Sequence, residues 1–151
     1  MSARLLGPGS YGLARLAVGD RIQTGTCTVT AGMIDSFSDL TGDRFAIHMD
    51  ADAAAEYGFA GRVAHGLLVL SLVDGLKNQA PAQFDAIASL GWDWSFLAPV
   101  HAGDTIQAAI DVKGLRETSK PDRGIVMLEV TVTNQDGATV QRGTNSLMVR
   151  R

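Results

Sequence analysis

The chain has 151 residues, of which 46% are hydrophobic and 19% charged, and its formal net charge is −3. Charges of both signs are scattered, which leaves no electrostatic footprint for nucleic acid or an acidic membrane. The single cysteine excludes an intramolecular disulfide, and no window is apolar enough for a secretory signal or a membrane span. We therefore expect one cytoplasmic domain over residues 1–151 that acts on a small molecule or binds a protein.

The first seventeen residues are loosely patterned, and Gly7-Pro8-Gly9 is typical of a turn or a disordered lead-in. β-Branched and small residues then predict a strand over residues 21–29. Thr30 is placed to cap a short helix whose apolar residues recur at three- and four-residue spacing, and Gly42 is placed to end it. The sequence therefore predicts an amphipathic helix directly before the segment that carries the reactive side chains.

Residues 43–49 follow neither a helical nor a strand period, so we predict an irregular segment there. Asp50 is placed to cap a second short helix over residues 51–57, which Gly58 ends. A further helix begins at Gly66 and is apolar around almost its full circumference. A helix with this pattern has to be enclosed by the rest of the fold.

The second half of the chain is nearly all strand. Apolar and polar residues alternate along three runs, and a fourth run is less regular. Asp136-Gly137 is a strong hairpin signal before the last run. The simplest arrangement that hides the helix and the apolar strand faces is an α+β fold, a curved antiparallel sheet wrapped around one long buried helix. The four predicted strands lie within residues 88–96, 105–112, 126–132 and 139–149.

Reactive groups concentrate around the predicted irregular segment. Asp43 is a carboxylate, His48 an imidazole, and Gly66 offers a backbone amide at the start of the apolar helix. A base, a proton carrier and a hydrogen-bond donor can together work on the carbon next to a polarised carbonyl. Taken alone, Asp43 would be interpreted as a residue that organises a turn, and His48 as a hydrogen-bonded structural histidine.

Five sequence blocks occur in a fixed order, and together they resemble a known family. They are Thr41-Gly-Asp43, Ile47-His48-Met-Asp50, Gly61-Arg-Val-Ala-His65-Gly66, Phe96-Leu-Ala-Pro-Val100 and Gly103-Asp-Thr-Ile106. The ordered set resembles the MaoC-like dehydratases, the (R)-specific enoyl-CoA hydratase branch of the hotdog superfamily, over roughly residues 18–149.

The resemblance implies a hotdog fold and a homodimer, or higher homo-oligomer, whose sheets join edge to edge beside an acyl-thioester tunnel. It implies reversible syn addition of water to a trans-2-enoyl-CoA, a reaction of fatty acid metabolism. Asp43 and His48 match the catalytic pair of the family, and Gly66 matches the glycine whose amide contacts the thioester carbonyl oxygen. No metal or cofactor is implied, because coenzyme A, or an acyl carrier protein, is part of the substrate.

The chain also departs from the family pattern. Phe45-Ala46 stands where the family commonly has Asn-Pro, and Phe45 can narrow the pocket. Asp74 stands where some relatives carry a serine facing the site, so it is either a polar contact to substrate or an edge residue. His65 is expected to cap or pack, or to shape the thioester site. These three side chains are the candidate substrate-lining residues, and His101 is expected to be exposed.

Two other functions remain open on the same scaffold. An acyl-CoA thioesterase would place its carboxylate on the enclosed helix, which is where Asp74 lies. A non-catalytic acyl-thioester-binding protein is suggested by Phe45-Ala46 in place of Asn-Pro. The length and branching of the acyl chain stay open under every hypothesis, because a fold does not fix the substrate.

Overall fold

A six-stranded sheet packed against one long helix forms the framework of the computed structural model, which describes residues 3–151. The helices are α1 (Ala31–Thr41), α2 (Ala46–Met49), α3 (Ala51–Glu56) and α4 (Gly66–Gln79), and a short 3-10 helix covers Leu13–Arg15. The strands are β1 (Arg4–Leu5), β2 (Gly9–Tyr11), β3 (Asp20–Thr28), β4 (Ala82–Phe84), β5 (Ala86–Phe96), β6 (Thr105–Glu117), β7 (Arg123–Thr133) and β8 (Thr139–Arg150).

The large sheet has the strand order β1-β3-β6-β7-β8-β5, and every pairing except that of β1 with β3 is antiparallel. Strands β2 and β4 form a separate parallel pair. Alternating residues of the central strands are buried, including Ile110 on β6 and Val130 on β7, and α4 packs against β3 and β6. The predicted α+β class and its strand-rich second half are confirmed.

Helix α4 is buried along one stripe and not on all sides. Val69 and Val73 are fully buried, whereas Leu70 is half-buried and Leu67 is 60% exposed. The prediction of a completely enclosed helix is therefore wrong for a single chain, because one sheet covers only one side of a helix. Within residues 3–151, no helix combines the length and the hydropathy that a membrane crossing would need.

The predicted helix caps are confirmed. The Thr30 hydroxyl accepts a hydrogen bond from the Met33 amide at 3.1 Å, and Gly42 ends α1 in the left-handed conformation with φ of 79°. The Asp50 carboxylate accepts from the Asp52 amide at 2.8 Å. Residues 46–49 form the single turn α2, which corrects the prediction of an irregular segment over residues 43–49.

The N-terminal segment is more ordered than the sequence predicted. Residues 3–17 contribute β1, β2 and the 3-10 helix, and Leu6 and Leu13 are buried in the core. The Arg4 guanidinium binds the buried carboxylate of Asp20 at 2.6 Å. The prediction of a loosely ordered lead-in over residues 1–17 is wrong for residues 3–17, and residues 1 and 2 lie outside the described part.

Strand β5 forms a free edge of the large sheet. Its apolar alternation predicts a face packed into the core, yet Leu90 is 49% exposed and Phe96 is 57% exposed. Trp92 and Trp94 are half-buried and pack against each other edge to face at 5.4 Å. Apolar side chains on an unpaired edge are typical of a surface that another chain covers.

Candidate active site

A cavity of about 510 Å³ lies where the loop after α1, the start of α4 and the end of β5 meet. Most of its wall is apolar, with Ile47, Phe59, Val63 and Leu97 among the lining side chains. An apolar pocket with a few convergent polar groups is the usual form of a small-molecule site. The polar side chains at its wall are Asp43, His48, His65 and Gln141.

Asp43 directly follows Gly42, which ends α1 in the left-handed conformation, and it lies at the cavity wall. Its Oδ1 accepts a hydrogen bond from the Phe45 amide at 3.2 Å, and its main-chain oxygen accepts one from Nε2 of His65 at 3.0 Å. Among residues 3–151, no hydrogen bond reaches its Oδ2. The carboxylate therefore organises the turn, as the plain structural interpretation predicted, and still has an oxygen free to bind a ligand.

His48 is buried, and the fold fixes the orientation of its ring. Its Nδ1 lies 2.6 Å from the main-chain oxygen of Val63, which can only accept, so Nδ1 carries the hydrogen. Nε2 is then a free lone pair, since no described residue hydrogen-bonds to it. The Arg62 guanidinium donates to the His48 carbonyl at 2.6 Å and pairs with Asp35. These two contacts of Arg62 hold the α2 turn in place. His48 is thus preset as a proton acceptor.

Gly66 begins α4, and in the described part of the chain its amide donates no hydrogen bond. The first amides of a helix lack intrahelical partners and lie at the positive end of the helix dipole, so they suit a negatively charged oxygen. A Cβ at this position would come within 2.5 Å of the Phe96 ring. The Gly66 carbonyl accepts from Nε2 of Gln141 at 3.2 Å, and Oε1 of Gln141 accepts from the Trp94 indole at 2.8 Å.

His65 lies inside the cavity wall and contacts both members of the candidate pair. Its ring stacks on that of His48, with centroids 4.0 Å apart and an interplanar angle of 25°. Its side chain makes no capping hydrogen bond to α4. The structure therefore places the predicted lining residue beside the Asp43–His48 pair, in a packed position.

Asp43, His48 and His65 also raise the question of a metal site, because one ligand atom from each lies within 4.8 Å of the others. Zinc binds imidazole nitrogens at about 2.0–2.1 Å and lies near the plane of each ring. Two rings stacked almost parallel direct their lone pairs along parallel planes, which do not converge on one ion. The geometry fits a stacked imidazole pair better than a chelate, and the expected lack of a metal stays a prediction.

Phe45 and Asp74 are not among the residues that line this cavity. Phe45 is 55% exposed, and its ring meets the edge of His48 at a centroid distance of 6.0 Å. Asp74 pairs with Lys77 at 2.9 Å. It lies eight residues beyond Gly66, which is about 12 Å along a helix. Neither side chain therefore lines the cavity of the single chain, and their contact with substrate stays a prediction.

His101 is half-buried, which corrects the expectation of an exposed residue. Its Nδ1 lies 3.7 Å from Oδ2 of Asp104, and its ring meets that of Phe59 at the cavity wall. A turn through Ala102 and Gly103 brings Asp104 back to it, and the Asp104 amide donates to the His101 carbonyl at 3.0 Å. Such a partner three residues away is compatible with many loop shapes, so the sequence alone did not reveal it.

Two residues of the site were missed by the sequence analysis. Ser38 is completely buried, and its hydroxyl lies 3.1 Å from Nε2 of His65. Gln141 is also buried and holds the first carbonyl of α4. A single polar residue on the buried face of a helix or strand is the one signal that could have indicated them, because such groups normally need a hydrogen-bond partner.

Comparisons with known proteins agree with this architecture. Residues 15–134 match the family model described as MaoC like domain. Protein MaoC of Klebsiella aerogenes is 41% identical over 106 residues, which cover 70% of this chain and only 31% of that protein. The (R)-specific enoyl-CoA hydratase of Aeromonas caviae is 34% identical over 113 residues, which cover 75% of this chain and 81% of the hydratase.

The same fold occurs in a solved structure of low sequence identity. A Mycobacterium tuberculosis protein described as having a double hotdog fold superposes with a TM-score of 0.80 at 24% identity, covering 95% of this chain and 44% of that one. The predicted hotdog fold is therefore confirmed. With most of its length matched by the family model, the chain belongs to the MaoC-like dehydratase family.

Proposed function

We propose that the protein catalyses reversible syn addition of water to a trans-2-enoyl thioester, giving the (R)-3-hydroxyacyl thioester. The observation that carries the proposal is the meeting of the Asp43 carboxylate, the free Nε2 of His48 and the free Gly66 amide at one apolar cavity. The named relative from Aeromonas caviae is an (R)-specific enoyl-CoA hydratase, which supports the same reaction class.

In this proposal, Asp43 and His48 hold and activate one water. A carboxylate oxygen of Asp43 and a ring nitrogen of His48 lie within 4.8 Å of each other, so the two side chains are close enough for a single water to hydrogen-bond to both. His48 takes a proton from the water through Nε2 as the oxygen attacks C3, and a proton from the pair then reaches C2. Both additions come from the face on which the water is held, so the product is syn.

Gly66 is proposed to stabilise the charge that develops on the thioester oxygen during this step. Its amide has no protein partner within residues 3–151, and the dipole of α4 adds positive potential at the same point. One such donor is worth about 2.7–4 kcal/mol of transition-state stabilisation in comparable sites. The chemistry needs no metal or cofactor beyond the coenzyme A, or the acyl carrier protein, of the substrate.

The thioesterase alternative depends on Asp74, and the position of that residue weighs against it. The carboxylate of Asp74 is paired with Lys77 and is not part of the wall that Asp43, His48 and Gly66 share. An attack on the thioester carbonyl would need an activated water on the Asp74 side of α4. The free groups of the cavity therefore favour addition at C3.

The proposal is tested by comparing wild type with the Asp43→Asn and His48→Gln variants in hydration of crotonyl-CoA. Asp43→Asn keeps the shape of the side chain and removes the base, and His48→Gln removes the ring that carries the proton, so we expect turnover to fall by roughly 10²–10⁴-fold in each. Loss of the conjugated enoyl absorbance measures hydration, and a thiol reagent in a parallel reaction measures release of free coenzyme A.

Asp136→Asn and His101→Gln are matched controls, because neither residue lines the cavity and the chemical changes are the same. Both should retain wild-type turnover. Near-normal hydration by Asp43→Asn and His48→Gln would overturn the proposed roles. Thiol release without hydration by wild type would favour the thioesterase, and binding without either reaction would favour a non-catalytic acyl-thioester protein.

A further inference from the structure

His65 packs against two rings in the interior of the fold. Only 2% of its surface is exposed. The Phe37 ring is tilted and lies at a centroid distance of 4.8 Å, and the His48 ring lies at 4.0 Å and almost parallel. The imidazole therefore fixes one face of His48 while the hydrogen bond to Val63 fixes its edge.

The same ring also holds the main chain of Asp43. Nε2 of His65 lies 3.0 Å from the Asp43 carbonyl oxygen and 3.1 Å from the Ser38 hydroxyl oxygen. A carbonyl oxygen can only accept, so Nε2 carries the hydrogen. The Ser38 hydroxyl donates to the sulfur of Met49, which leaves its oxygen free to share that hydrogen.

This tautomer leaves Nδ1 of His65 as a buried acceptor, and no described residue donates to it. A buried polar atom without a partner destabilises a fold, and a phenylalanine of similar shape would avoid that cost. Stacking alone therefore does not account for an imidazole here. The feature that phenylalanine lacks is the Nε2 hydrogen, and that hydrogen binds the Asp43 carbonyl.

We propose that His65 is the positioning residue of the Asp43–His48 pair. It connects the two by donating to the main chain of Asp43 and stacking on the ring of His48, so it sets the distance between carboxylate and imidazole. Its catalytic consequence rests on the proposed hydratase function, whereas its structural part does not. A displacement of about 1 Å between reacting groups can lower a rate by roughly 10²-fold.

Two substitutions separate the two contacts. His65→Phe keeps a ring against His48 and removes the donor to Asp43, whereas His65→Gln keeps an N–H near the Nε2 position and removes the ring. We expect kcat for crotonyl-CoA to fall by about 10²-fold in each, with KM little changed, because the displaced groups act on the transition state. His101→Gln serves as the matched control and should keep the wild-type kcat.

Hydrogen exchange of the amides of residues 43–45 gives a measure that does not depend on activity. His65→Phe should speed their exchange because the loop loses its anchor, and His65→Gln should restore protection close to that of wild type. Unchanged kcat and unchanged loop exchange in both variants, with melting temperatures near wild type, would overturn the proposal. Slow turnover with wild-type loop exchange in His65→Phe would also overturn it.

Ring-nitrogen NMR of the wild-type protein tests the inference without any variant, because the nitrogen signals report which ring nitrogen carries the hydrogen. We expect the Nε2–H tautomer for His65 and the Nδ1–H tautomer for His48. A hydrogen on Nδ1 of His65 would overturn the proposal, even if the variants fail to fold. A wild-type protein that hydrates no enoyl-CoA would refute the proposed function, while the spectrum and the exchange data would still decide the role of His65.

Discussion

Gly66 meets two requirements that no other residue type satisfies at this position. Its amide begins α4 without a partner among the described residues, and its missing side chain lets the Phe96 ring lie directly against the backbone. The family resemblance indicates the role of the amide, and the structure adds the contact with Phe96. The contact explains why the first residue of the helix must lack a side chain, since even a Cβ would strike the Phe96 ring.

A methyl group at residue 66 should therefore impair the site more than the fold. In Gly66→Ala the new Cβ meets the Phe96 ring, so that ring, which lines the cavity, must shift. Alanine is a better helix former than glycine, so the melting temperature should change little. We expect hydration of crotonyl-CoA to fall by roughly 10²-fold, as for other small displacements of reacting groups.

The Phe96→Ala variant provides the control, because it removes the ring that the new methyl group would strike. In the double variant, Gly66→Ala should cost far less activity than it costs alone, as contacting residues are energetically coupled. Equal losses in the two backgrounds would contradict the steric explanation.

The candidate pair could be predicted from the sequence, but its supporting residues could not. Asp43 and His48 lie five residues apart in a recognisable block, so local spacing identifies them. Ser38 and Gln141 contact residues that are 27 and 75 positions away in the chain, and no local pattern records such contacts. The tautomer of His48 likewise depends on the carbonyl of Val63, which only the folded chain supplies.

Long helices and strands were predicted well from the sequence, and elements of only two to four residues were missed. Helix α1 and strands β6 and β7 have enough residues for a pattern to repeat, and their caps and turns carry their own signals. Strand β1 has two residues, and β2, β4 and α2 have three or four. These short elements are stabilised by neighbours distant in sequence, so neither propensity nor period reveals them.

The N-terminal segment shows how such an element is held. The Arg4 guanidinium donates two hydrogen bonds to Asp20 at 2.6 Å, and the Ala17 amide donates a third at 2.8 Å. The hydrogen bonds from Arg4 hold the pKa of the Asp20 carboxyl below its ordinary value, although burial acts in the opposite direction. The charged form of Asp20 is therefore favoured in the folded state.

Asp20→Asn should lower the free energy of unfolding by about 1–3 kcal/mol near neutral pH, since it weakens hydrogen bonds to a buried charged group. A folded-state pKa below the unfolded value of about 3.9 gives stability that is present above that pH and is lost as the pH falls through the folded-state pKa. The difference between variant and wild type should therefore shrink on acidification. Urea unfolding at about pH 7 and about pH 3 measures it.

Asp122→Asn is the matched control for this effect. Asp122 also pairs with an arginine, and Arg123 lowers its pKa in the same direction, but its carboxylate is mostly exposed. Exposed ion pairs contribute little to stability, so this variant should change the unfolding free energy much less. An equal loss in both variants, or a loss for Asp20→Asn that does not diminish in acid, would contradict the explanation.

The surface of the whole molecule points to a second copy of the chain. Strand β5 leaves one side of the sheet unpaired, and Ile87, Leu90 and Phe96 on it are exposed. Phe96 also lines the cavity, so a partner at this edge would lie beside the site. We propose that two chains join through β5, which would extend the sheet and cover the apolar edge.

Leu90→Lys should weaken such a dimer, because it places a charge at an apolar edge that pairs with its own copy. Size-exclusion chromatography with light scattering measures the mass of the particle. Val18→Lys is the control, since Val18 is similarly exposed near the opposite edge of the sheet. A monomeric wild type, or a dimer that Leu90→Lys does not affect, would contradict the proposed interface.

The central claim is that one water, held by Asp43 and His48 on one face of the substrate, supplies both the hydroxyl and the proton. Hydration of crotonyl-CoA by wild type in heavy water tests this most directly, with the configuration at C2 and C3 of the product determined. We expect (R)-3-hydroxybutyryl-CoA with deuterium at C2 on the same face as the new hydroxyl. The (S) product, deuterium on the opposite face, or release of free coenzyme A in place of hydration would contradict the claim.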